Sequence, residues 1–431
     1  MQIQIIPTAI KGTVVAPASK SIMQRACAAA LLRNGETLIA NYGKSDDDKA
    51  AVTIIQQLGA KVQFIDDRTL QVISDGTVNP SHGAVLDCGE SGLSLRMFTP
   101  IAALSAEEVF MTARGSLVNR PTDFFNDIFP LLGVDVSSLG GVFPIRVTGP
   151  LAPQKIAVDG SVTSQFLTGL LFAYSASKGT AVSIEVKSLK SRPYIDLSLK
   201  VMEDFKMNLP VNKGYESFLF AEREAPVAAI EQLKYTVEGD WSNAAFLLVA
   251  GAIAGDVTVK GLDVFTSQSD KRILEALQDC GCRLSIQATQ IQVKYQTLNA
   301  FHFDATECPD LFPPLAVLAA CCTGTSVIEG VHRLAHKESD RGETIRSEFK
   351  KMGIAVDLQG DSMIITGGTE IKSAEVDSHN DHRIAMACAL LALRANGMVT
   401  LDRAQAVNKS YPDFYRDMNH LCDATHFIEQ L

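Results

Sequence analysis

The sequence contains no hydrophobic run long enough to cross a membrane and no surplus of positive charge. Its most apolar stretches, such as AAFLLVAGAIAG over residues 244–255, are shorter than the roughly 20 apolar residues that span a bilayer. Its 39 lysines and arginines are outnumbered by 49 aspartates and glutamates, which gives a formal net charge of −10. Proteins that bind nucleic acids or membrane surfaces usually carry a broad basic face. We therefore expect neither partner, and an anionic ligand would need a local cluster of cations.

The cysteine spacing and the glycine motifs exclude further kinds of site. The nine cysteines are odd in number and scattered, with no C-x-x-C pair and no Cys/His group at zinc spacing. No G-x-x-x-x-G-K-[ST] loop occurs, and no G-x-G-x-x-G follows a predicted strand. The N-terminal segment MQIQIIPTAIKGTVV alternates like a strand and lacks the layout of a signal peptide. These features predict a cytoplasmic protein with reduced, mostly buried thiols and no metal.

One structural unit recurs six times along the chain. Each copy begins with a strongly apolar helix and a glycine, which are followed by a short strand, an amphipathic helix and two more strands. The copies start near residues 20, 91, 163, 241, 309 and 380. Their apolar helices include SKSIMQRACAAALL, VTSQFLTGLLFAYSA and NDHRIAMACALLAL. This recurring order of elements predicts an α/β protein built from repeats.

The length of the chain, 431 residues, exceeds what one ordinary core accommodates, so the repeats predict two domains. The sixth repeat ends after one strand, whereas the N-terminus supplies two strands, MQIQII and GTVVAP. We therefore expect residues 1–16 to complete the sixth repeat. Three repeats then form a continuous domain, 17–236, and three form a discontinuous domain, 1–16 plus 237–431. The chain would cross near residue 17 and around EAPVAAIEQLKY, residues 224–235, and a cleft between the domains is the expected ligand site.

The first turns of the apolar helices carry cations that a buried helix does not need. Lys20 and Arg25 lie at the first opening, Arg96 at the second and Arg383 at the sixth. N-capping accounts for the Ser, Thr, Asp and Asn residues at these openings, including Asp240. It does not account for the cations, which lie at the unfavourable end of the helix dipole. Either they are separate surface charges, or a phosphate or carboxylate is bound among them by free amides and guanidinium groups.

Six segments closely resemble the 5-enolpyruvylshikimate-3-phosphate (EPSP) synthase family, also called the 3-phosphoshikimate 1-carboxyvinyltransferases. They are SKSIMQRA, DGSVTSQFLTGLL, KSRPYIDLSL, HKESDR, NDHRIAMA and NKSYPDF, in this order over nearly the whole chain. The resemblance implies two similar domains, each of three βαβαββ repeats, in the inside-out α/β barrel or prism of enolpyruvyl transferases. The implied reaction transfers the enolpyruvyl group of phosphoenolpyruvate to the 5-hydroxyl of shikimate 3-phosphate, which yields EPSP and phosphate on the shikimate pathway to chorismate and aromatic amino acids.

The resemblance also implies which residues bind the two substrates. The residues for shikimate 3-phosphate would be Lys20, Ser21, Arg25, Thr163, Ser164, Gln165, Ser191, Tyr194, Asp310 and Lys337. The residues for phosphoenolpyruvate would be Lys20, Gly92, Arg120, Gln165, Arg341, Arg383 and Lys409. Within the first set, Ser21 and Arg25 would hold the shikimate carboxylate.

The implied catalytic residues are Asp310, Glu338 and Lys20. Asp310 would accept the proton of the attacking 5-hydroxyl, and Lys20 or Glu338 would protonate the methylene carbon of phosphoenolpyruvate. Glu338 would later take that proton back as phosphate leaves. The family's reaction implies no cofactor, and we expect a monomer.

Two residues depart from the family's pattern. The family's segment reads like NAGTAMR, whereas residues 90–96 read ESGLSLR, so Glu90 and Leu93 replace an asparagine and a threonine. A carboxylate beside an anionic ligand should weaken its binding, unless Glu90 turns away or pairs with a cation such as Arg120. Replacing Glu90 by asparagine is therefore expected to tighten phosphoenolpyruvate binding. Arg333 also stands where the family often has asparagine or arginine.

Two alternatives to this activity are open. The related UDP-N-acetylglucosamine enolpyruvyl transferases typically carry a reactive cysteine in a mobile loop and a Lys-Asn pair near the start. Here the loop TARGSLVNRPTD has no cysteine, and Lys20 is followed by Ser21. The second alternative is a catalytically silent relative that binds anions, for which Glu90 and Leu93 would be the evidence.

Overall fold

The computed structural model describes residues 1–139, 142–177, 179, 181–222, 232–335 and 337–430. The predicted crossing around residues 224–235 therefore lies largely outside the described residues, because 223–231 are not among them. The helices are α1 Lys20–Leu32, α2 Asp46–Gln57, α3 Gly92–Ala102, α4 Asp123–Ile128, α5 Gln165–Ala176, α6 Arg192–Asp204, α7 Trp241–Ala254, α8 Ile273–Asp279, α9 Phe312–Cys321, α10 Arg341–Lys351, α11 His382–Ala392 and α12 Phe414–His420.

The strands alternate with these helices along the chain. The first half contains β1 Gln2–Ile5, β2 Ile10–Val15, β3 Asn34–Ala40, β4 Lys61–Phe64, β5 Thr69–Asp75, β6 Ala84–Asp87, β7 Glu108–Thr112, β8 Asp135–Leu139, β9 Val142–Thr148, β10 Ile156–Asp159, β11 Val182–Lys187 and β12 Val211–Lys213. The second half contains β13 Ser217–Phe220, β14 Leu233–Thr236, β15 Gly255–Lys260, β16 Arg283–Gln287, β17 Gln290–Lys294, β18 His302–Asp304, β19 Gly324–Glu329, β20 Ala355–Gln359, β21 Ser362–Gly367, β22 Glu375–Asp377, β23 Val399–Asp402 and β24 Phe427–Gln430.

The strands of the described residues form six four-stranded sheets with one common topology. The strand orders are β14-β3-β5-β4, β6-β7-β9-β8, β10-β11-β13-β12, β16-β17-β15-β2, β18-β19-β21-β20 and β22-β23-β1-β24. In each sheet one pair at an edge is parallel, and the other two pairings are antiparallel. The predicted α/β class and the βαβαββ repeat are thereby confirmed.

The chain divides into two units, one of residues Met1–Pro17 and Glu238–Leu431 and the other of residues Ala18–Val237. The expected boundaries, 16/17 and 236/237, differ from these by one residue. Each unit contains three of the six sheets and has its own hydrophobic core.

The prediction that residues 1–16 complete the sixth repeat is correct for β1 and wrong for β2. Strand β1 lies between β23 and β24 in the sixth sheet. Strand β2 instead pairs in parallel with β15, and β14 takes the equivalent place beside β3. Strand β2 precedes α1 in the chain but pairs with β15 of the fourth repeat, and β14 precedes α7 but pairs with β3 of the first repeat. The first and fourth repeats therefore exchange their first strands.

The apolar first helices of the repeats form the centre of each unit. Helices α1, α3 and α5 pack together in one unit, and α7, α9 and α11 pack together in the other. Every residue of α3 and α11 is buried, as expected of helices that are apolar on all sides. Gly169 permits this close packing, since a Cβ atom there would lie 2.7 Å from the carbonyl oxygen of Arg96. No helix in the described residues is long and apolar enough to span a bilayer, and all nine cysteines are free thiols.

Candidate active site

Lys20 is the first residue of α1, and an acid from a neighbouring helix balances its charge. Its Nζ lies 2.9 Å from Oδ2 of Asp47, a residue in the first turn of α2, and both side chains are largely buried. A cation at a helix N-terminus is disfavoured by the helix dipole, so the carboxylate offsets an unfavourable position. Asp47 was not predicted as a site residue, because its place in the run SDDD is typical of helix capping.

Arg25 lies one turn further along α1 and is almost fully buried. Its Nε donates to Oγ of Ser198 at 2.9 Å, and its Nη atoms donate to the carbonyl oxygens of Ser21 and Tyr194 at 2.8 and 3.2 Å. Among the described residues no carboxylate lies within ion-pair distance of this guanidinium. Burial lowers the pKa of Arg25 to about 10, because the charged form is poorly solvated. A buried cation with uncharged acceptors is suited to an anionic ligand.

Gly92 marks the point where three polar side chains of this unit converge. A Cβ atom on Gly92 would lie 2.9 Å from Nη1 of Arg96, 2.9 Å from Nη1 of Arg120 and 3.4 Å from Oε1 of Gln165. Arg96 Nη1 also donates to Gln165 Oε1 at 3.0 Å. The absence of a side chain at Gly92 therefore leaves room for two guanidinium groups at the start of α3. Arg96 was noted among the cations at the helix openings but was not assigned to either substrate.

The openings of α5 and α6 supply the polar residues Thr163, Ser164, Ser191 and Tyr194. Oγ1 of Thr163 accepts from the amide of Gln165 at 3.2 Å, and Ser164 is buried directly before α5. Ser191 precedes α6 in a left-handed conformation with φ of 56°, which is uncommon for a residue with a side chain. Tyr194 belongs to the first turn of α6, and its carbonyl oxygen accepts from Arg25. Strained backbone of this kind is frequent at functional sites.

In the other unit Asp310 lies in a 3₁₀ turn, Pro309–Leu311, that precedes α9. The sequence predicted that the fifth apolar helix begins near residue 309, whereas α9 begins at Phe312. Pro313 and Pro314 explain the difference, because proline is tolerated in the first turn of a helix, where its missing amide needs no partner. Asp310 therefore lies in the turn that leads into the helix and is not its N-cap.

Three cations surround the carboxylate of Asp310. Nη1 of Arg341 and Nζ of Lys337 donate to Oδ1 at 2.8 and 3.2 Å, and Nη2 of Arg383 donates to Oδ2 at 3.1 Å. Burial alone would raise the pKa of Asp310, but the charges of Arg383, Lys337 and Arg341 outweigh it and hold this pKa well below its usual range. The carboxylate is therefore ionised at neutral pH, and the three cations make it a weaker base than an isolated aspartate.

Arg341 connects Asp310 to two further acids. Its Nη2 donates to Oε2 of Glu338 at 2.6 Å, and its Nε and Nη2 donate to the two oxygens of Asp381 at 2.8 and 3.2 Å. Burial opposes the charge of Arg341, but Asp381, Glu338 and Asp310 raise its pKa above the usual value. Burial lowers the pKa of Lys337, although Asp310 opposes that shift. Asp381 belongs to the segment NDHRIAMA at the sixth helix opening, but its ion pair with Arg341 was not predicted.

Lys409 lies at the end of a 3₁₀ segment, Ala404–Lys409, and its Nζ donates to the carbonyl oxygen of Asn380 at 2.5 Å. Asn380 directly precedes Asp381, so Lys409 is held at the opening of α11. The described residues contain no group of three or more His, Cys, Asp or Glu side chains placed to bind a metal ion. Five charged residues of this unit are connected by the ion pairs described above, and we call them the Asp310 cluster. They are Asp310, Lys337, Glu338, Arg341 and Arg383.

Comparisons with known proteins identify the family. The sequence model described as EPSP synthase (3-phosphoshikimate 1-carboxyvinyltransferase) matches residues 5–418. The chain belongs to the EPSP synthase family. Its relatives named 3-phosphoshikimate 1-carboxyvinyltransferase include those of Clostridium novyi, 35% identical over 96% of each chain, and Clostridium acetobutylicum, 34% identical over 98% of each chain.

Solved structures have the same fold. An EPSP synthase of Acinetobacter baumannii superposes with a TM-score of 0.81 over 99% of this chain and 100% of its own, at 24% identity. The enolpyruvyl transferase NikO of Streptomyces tendae gives 0.77 over 97% of each chain, at 18% identity. The expected enolpyruvyl transferase fold is confirmed, with the sheets of the described residues arranged as six separate four-stranded sheets.

The predicted site residues of the EPSP synthase motifs fall into two sets, one in each unit. The set in residues 18–237 comprises Lys20, Ser21, Arg25, Gly92, Arg120, Thr163, Ser164, Gln165, Ser191 and Tyr194. The set in the other unit comprises Asp310, Lys337, Glu338, Arg341, Arg383 and Lys409. Of the departures from the family's pattern, Leu93 is buried in the hydrophobic core, and Arg333 ends a 3₁₀ turn, Val331–Arg333.

Proposed function

We propose that this protein transfers the enolpyruvyl group of phosphoenolpyruvate to the 5-hydroxyl of shikimate 3-phosphate. The Asp310 cluster carries the proposal, because it combines an ionised base, a second acid and three cations, each joined to the set by an ion pair with Asp310 or Arg341. A protein that only binds anions needs the cations but has no use for the base. Membership of the EPSP synthase family supports the same assignment.

In the proposed reaction the oxygen of the 5-hydroxyl bonds to the phosphate-bearing carbon of phosphoenolpyruvate. Asp310 accepts the hydroxyl proton, and Lys20 or Glu338 donates a proton to the methylene carbon, which gives a tetrahedral intermediate that is not bonded to the protein. Glu338 then removes a proton from the new methyl group as the carbon–oxygen bond to phosphate breaks. The protein contributes positioning, proton transfer and stabilisation of negative charge.

The binding roles follow the charges of the two sets. Arg25 and Ser21 hold the shikimate carboxylate, and Thr163, Ser164, Ser191 and Lys337 hold its 3-phosphate or neighbouring hydroxyl, with Tyr194 beside them. Phosphoenolpyruvate carries a carboxylate and a phosphate, which suit the rigid guanidinium forks of Arg120, Arg341 and Arg383. The full set of residues proposed to bind it is Lys20, Gly92, Arg120, Gln165, Arg341, Arg383 and Lys409. We propose that both sets act on the same two substrates.

The test is the release of phosphate from phosphoenolpyruvate by the purified protein. We expect release only when shikimate 3-phosphate is present, without added metal, and formation of EPSP in equal amount. Turnover with UDP-N-acetylglucosamine in place of shikimate 3-phosphate would favour the related transferase. Tight binding of both substrates without turnover would favour a silent binder. We further propose that the protein is a monomer and that it is cytoplasmic. Light scattering of the purified protein tests the first through its mass, and cell fractionation tests the second.

A further inference from the structure

Glu90, which replaces the family's asparagine, contacts the chain segment that leads to Arg120. It follows β6 and directly precedes Ser91, the residue that caps α3. Its Oε2 accepts from the backbone amide of Ser116 at 3.4 Å. The carboxylate is therefore directed at the beginning of the 3₁₀ turn Gly115–Asn119.

Gly115 is the residue over which this carboxylate lies. A Cβ atom at Gly115 would lie 2.3 Å from Cδ and from Oε2 of Glu90 and 2.7 Å from Oε1. Its φ of +55° also belongs to the left-handed region, which side chains other than glycine rarely adopt. Glu90 and Gly115 are thus complementary, since any side chain at position 115 would occupy the volume of the carboxylate.

Ser116 connects Glu90 to Arg120. Its amide donates to Glu90, and its Oγ accepts from Nη2 of Arg120 at 3.3 Å. Arg120 directly follows the turn, and its own amide donates to the carbonyl oxygen of Leu117 at 3.1 Å. A change in the contact between Glu90 and the turn would therefore be transmitted to the side chain of Arg120 at Gly92.

We propose that Glu90 is a positioning residue for Arg120, and that the pair Glu90 and Gly115 orders the segment that leads to Arg120. The inference rests on the proposed function in one respect, because Arg120 is assigned there to phosphoenolpyruvate. Glu90 acts on the protein backbone, so its replacement weakens phosphoenolpyruvate binding, which is opposite to the effect expected if its charge repelled the ligand.

The experiment compares four single variants and one double variant of the full chain. Glu90→Ala removes the acceptor, Glu90→Gln keeps an acceptor of the same length without charge, and Gly115→Ala places a methyl group in the volume of the carboxylate. Glu107→Gln removes an exposed carboxylate elsewhere in the same unit and serves as the charge control. The measurements are KM for each substrate, kcat, and hydrogen exchange of the amides of residues 113–120.

For Glu90→Ala we expect a rise of about tenfold in the KM for phosphoenolpyruvate, the size expected for loss of one hydrogen bond to a charged group. The KM for shikimate 3-phosphate should change less than about twofold, and amide exchange of residues 113–120 should accelerate. Glu90→Gln should restore most of both properties, whereas Gly115→Ala should resemble Glu90→Ala. In the double variant Glu90→Ala/Gly115→Ala the two losses should be less than additive, because the methyl group then finds space.

A lower KM for phosphoenolpyruvate in Glu90→Ala or Glu90→Gln would overturn the inference, since it would show repulsion of the ligand. So would an unchanged exchange rate in Glu90→Ala, or a comparable loss of phosphoenolpyruvate affinity in Glu107→Gln. If the wild-type protein does not turn over the two substrates, the proposed function fails, but the exchange rates still decide whether Glu90 orders the segment.

Discussion

Arg341 and Asp381 form a two-pronged ion pair in which both side chains are almost completely buried. The contacts run from Nε to Oδ2 at 2.8 Å and from Nη2 to Oδ1 at 3.2 Å, and the exposed fractions of the two side chains are 1% and 0%. Oδ1 of Asp381 also accepts from the amide of Arg383 at 2.9 Å. One carboxylate thus orients a guanidinium of the Asp310 cluster and the first turn of α11.

Replacing Asp381 by asparagine should destabilise the protein by about 3 kcal/mol, because a buried guanidinium loses its main counter-charge. The amide can still cap α11, so the loss reports on the ion pair. The measurement is the denaturant midpoint of unfolding for wild type and variant. Glu343→Gln is the matched control, since Glu343 pairs with Arg346 on the exposed side of α10 and such pairs contribute at most about 1 kcal/mol. Equal shifts in the two variants would contradict the prediction.

Replacing Arg25 should not destabilise the protein, in contrast to replacing Asp381. Its charge is buried beside uncharged acceptors. Without Arg25, the carbonyl oxygen of Tyr194 would still accept a hydrogen bond from Oγ of Ser198. Replacement by methionine, a side chain of similar length, should leave stability unchanged or raise it, because desolvation of the charge no longer opposes folding. The KM for shikimate 3-phosphate should rise at least about tenfold, because a charge-assisted contact to its carboxylate is lost.

Thermal unfolding and steady-state kinetics of Arg25→Met check both parts of this expectation. Arg25→Lys is the control, because it keeps the charge but not the planar fork. A large drop in melting temperature for the methionine variant would show that Arg25 stabilises the fold. An unchanged KM for shikimate 3-phosphate would remove it from the binding site.

The repeats were predictable because the apolar helices, most of them soon followed by a glycine, are local features of the sequence. The exchange of β2 and β14 was not predictable, since β2 pairs with β15, which lies about 245 positions further along the chain. Periodicity indicates that a segment is a strand but does not indicate which sheet it joins.

The cations at the helix openings were predictable from that unfavourable place, whereas those in predicted loops, such as Lys337 and Lys409, were assigned only through the family resemblance. Two acidic partners, Asp47 and Asp381, were not predicted. Asp47 is one of three aspartates in the first turn of α2, where the helix dipole favours an acid, and Asp381 is the N-cap of α11. In both cases the second role, an ion pair, depends on the packing of another helix. When its position at a helix N-terminus already explains an aspartate, the sequence gives no sign that the same residue also forms an ion pair with another helix.

Gly169 provides a test of helix packing. A Cβ atom there would lie 2.7 and 2.8 Å from the carbonyl oxygens of Arg96 and Met97, which belong to α3. Gly169→Ala should therefore lower the free energy of unfolding by about 2 kcal/mol, since the two helices must separate. Gly342→Ala, in the first turn of α10, is the control, because its Cβ would have only ordinary contacts of 3.5 Å or more. A loss in Gly342→Ala as large as that in Gly169→Ala would contradict this explanation.

Asp48 should make stability depend on pH near neutrality. Its carboxylate forms a capping box with Ser45, in which Oδ2 accepts from the amide and hydroxyl of Ser45 at 3.1 and 2.6 Å. Its pKa is raised to about 7, mainly by burial and further by Asp47, against the lowering effects of the hydrogen bonds from Ser45 and of the charge of Lys20. The unfolded value is about 3.9, so the folded protein retains a proton that the unfolded chain has released. The stability due to this proton is fully present below about pH 4 and is lost as the pH rises towards 7.

Asp48→Asn isolates this contribution, because the amide oxygen can accept the same two bonds from Ser45 and cannot ionise. The melting temperature of the variant minus that of wild type should be larger at pH 8 than at pH 5, by several degrees. Asp46→Asn changes a neighbouring but exposed aspartate, paired with Lys49, and its difference from wild type should be the same at both pH values. If the Asp48→Asn difference also stays constant between pH 5 and pH 8, the carboxylate is already ionised in the folded protein at pH 5, and its burial must be balanced by the charge of Lys20.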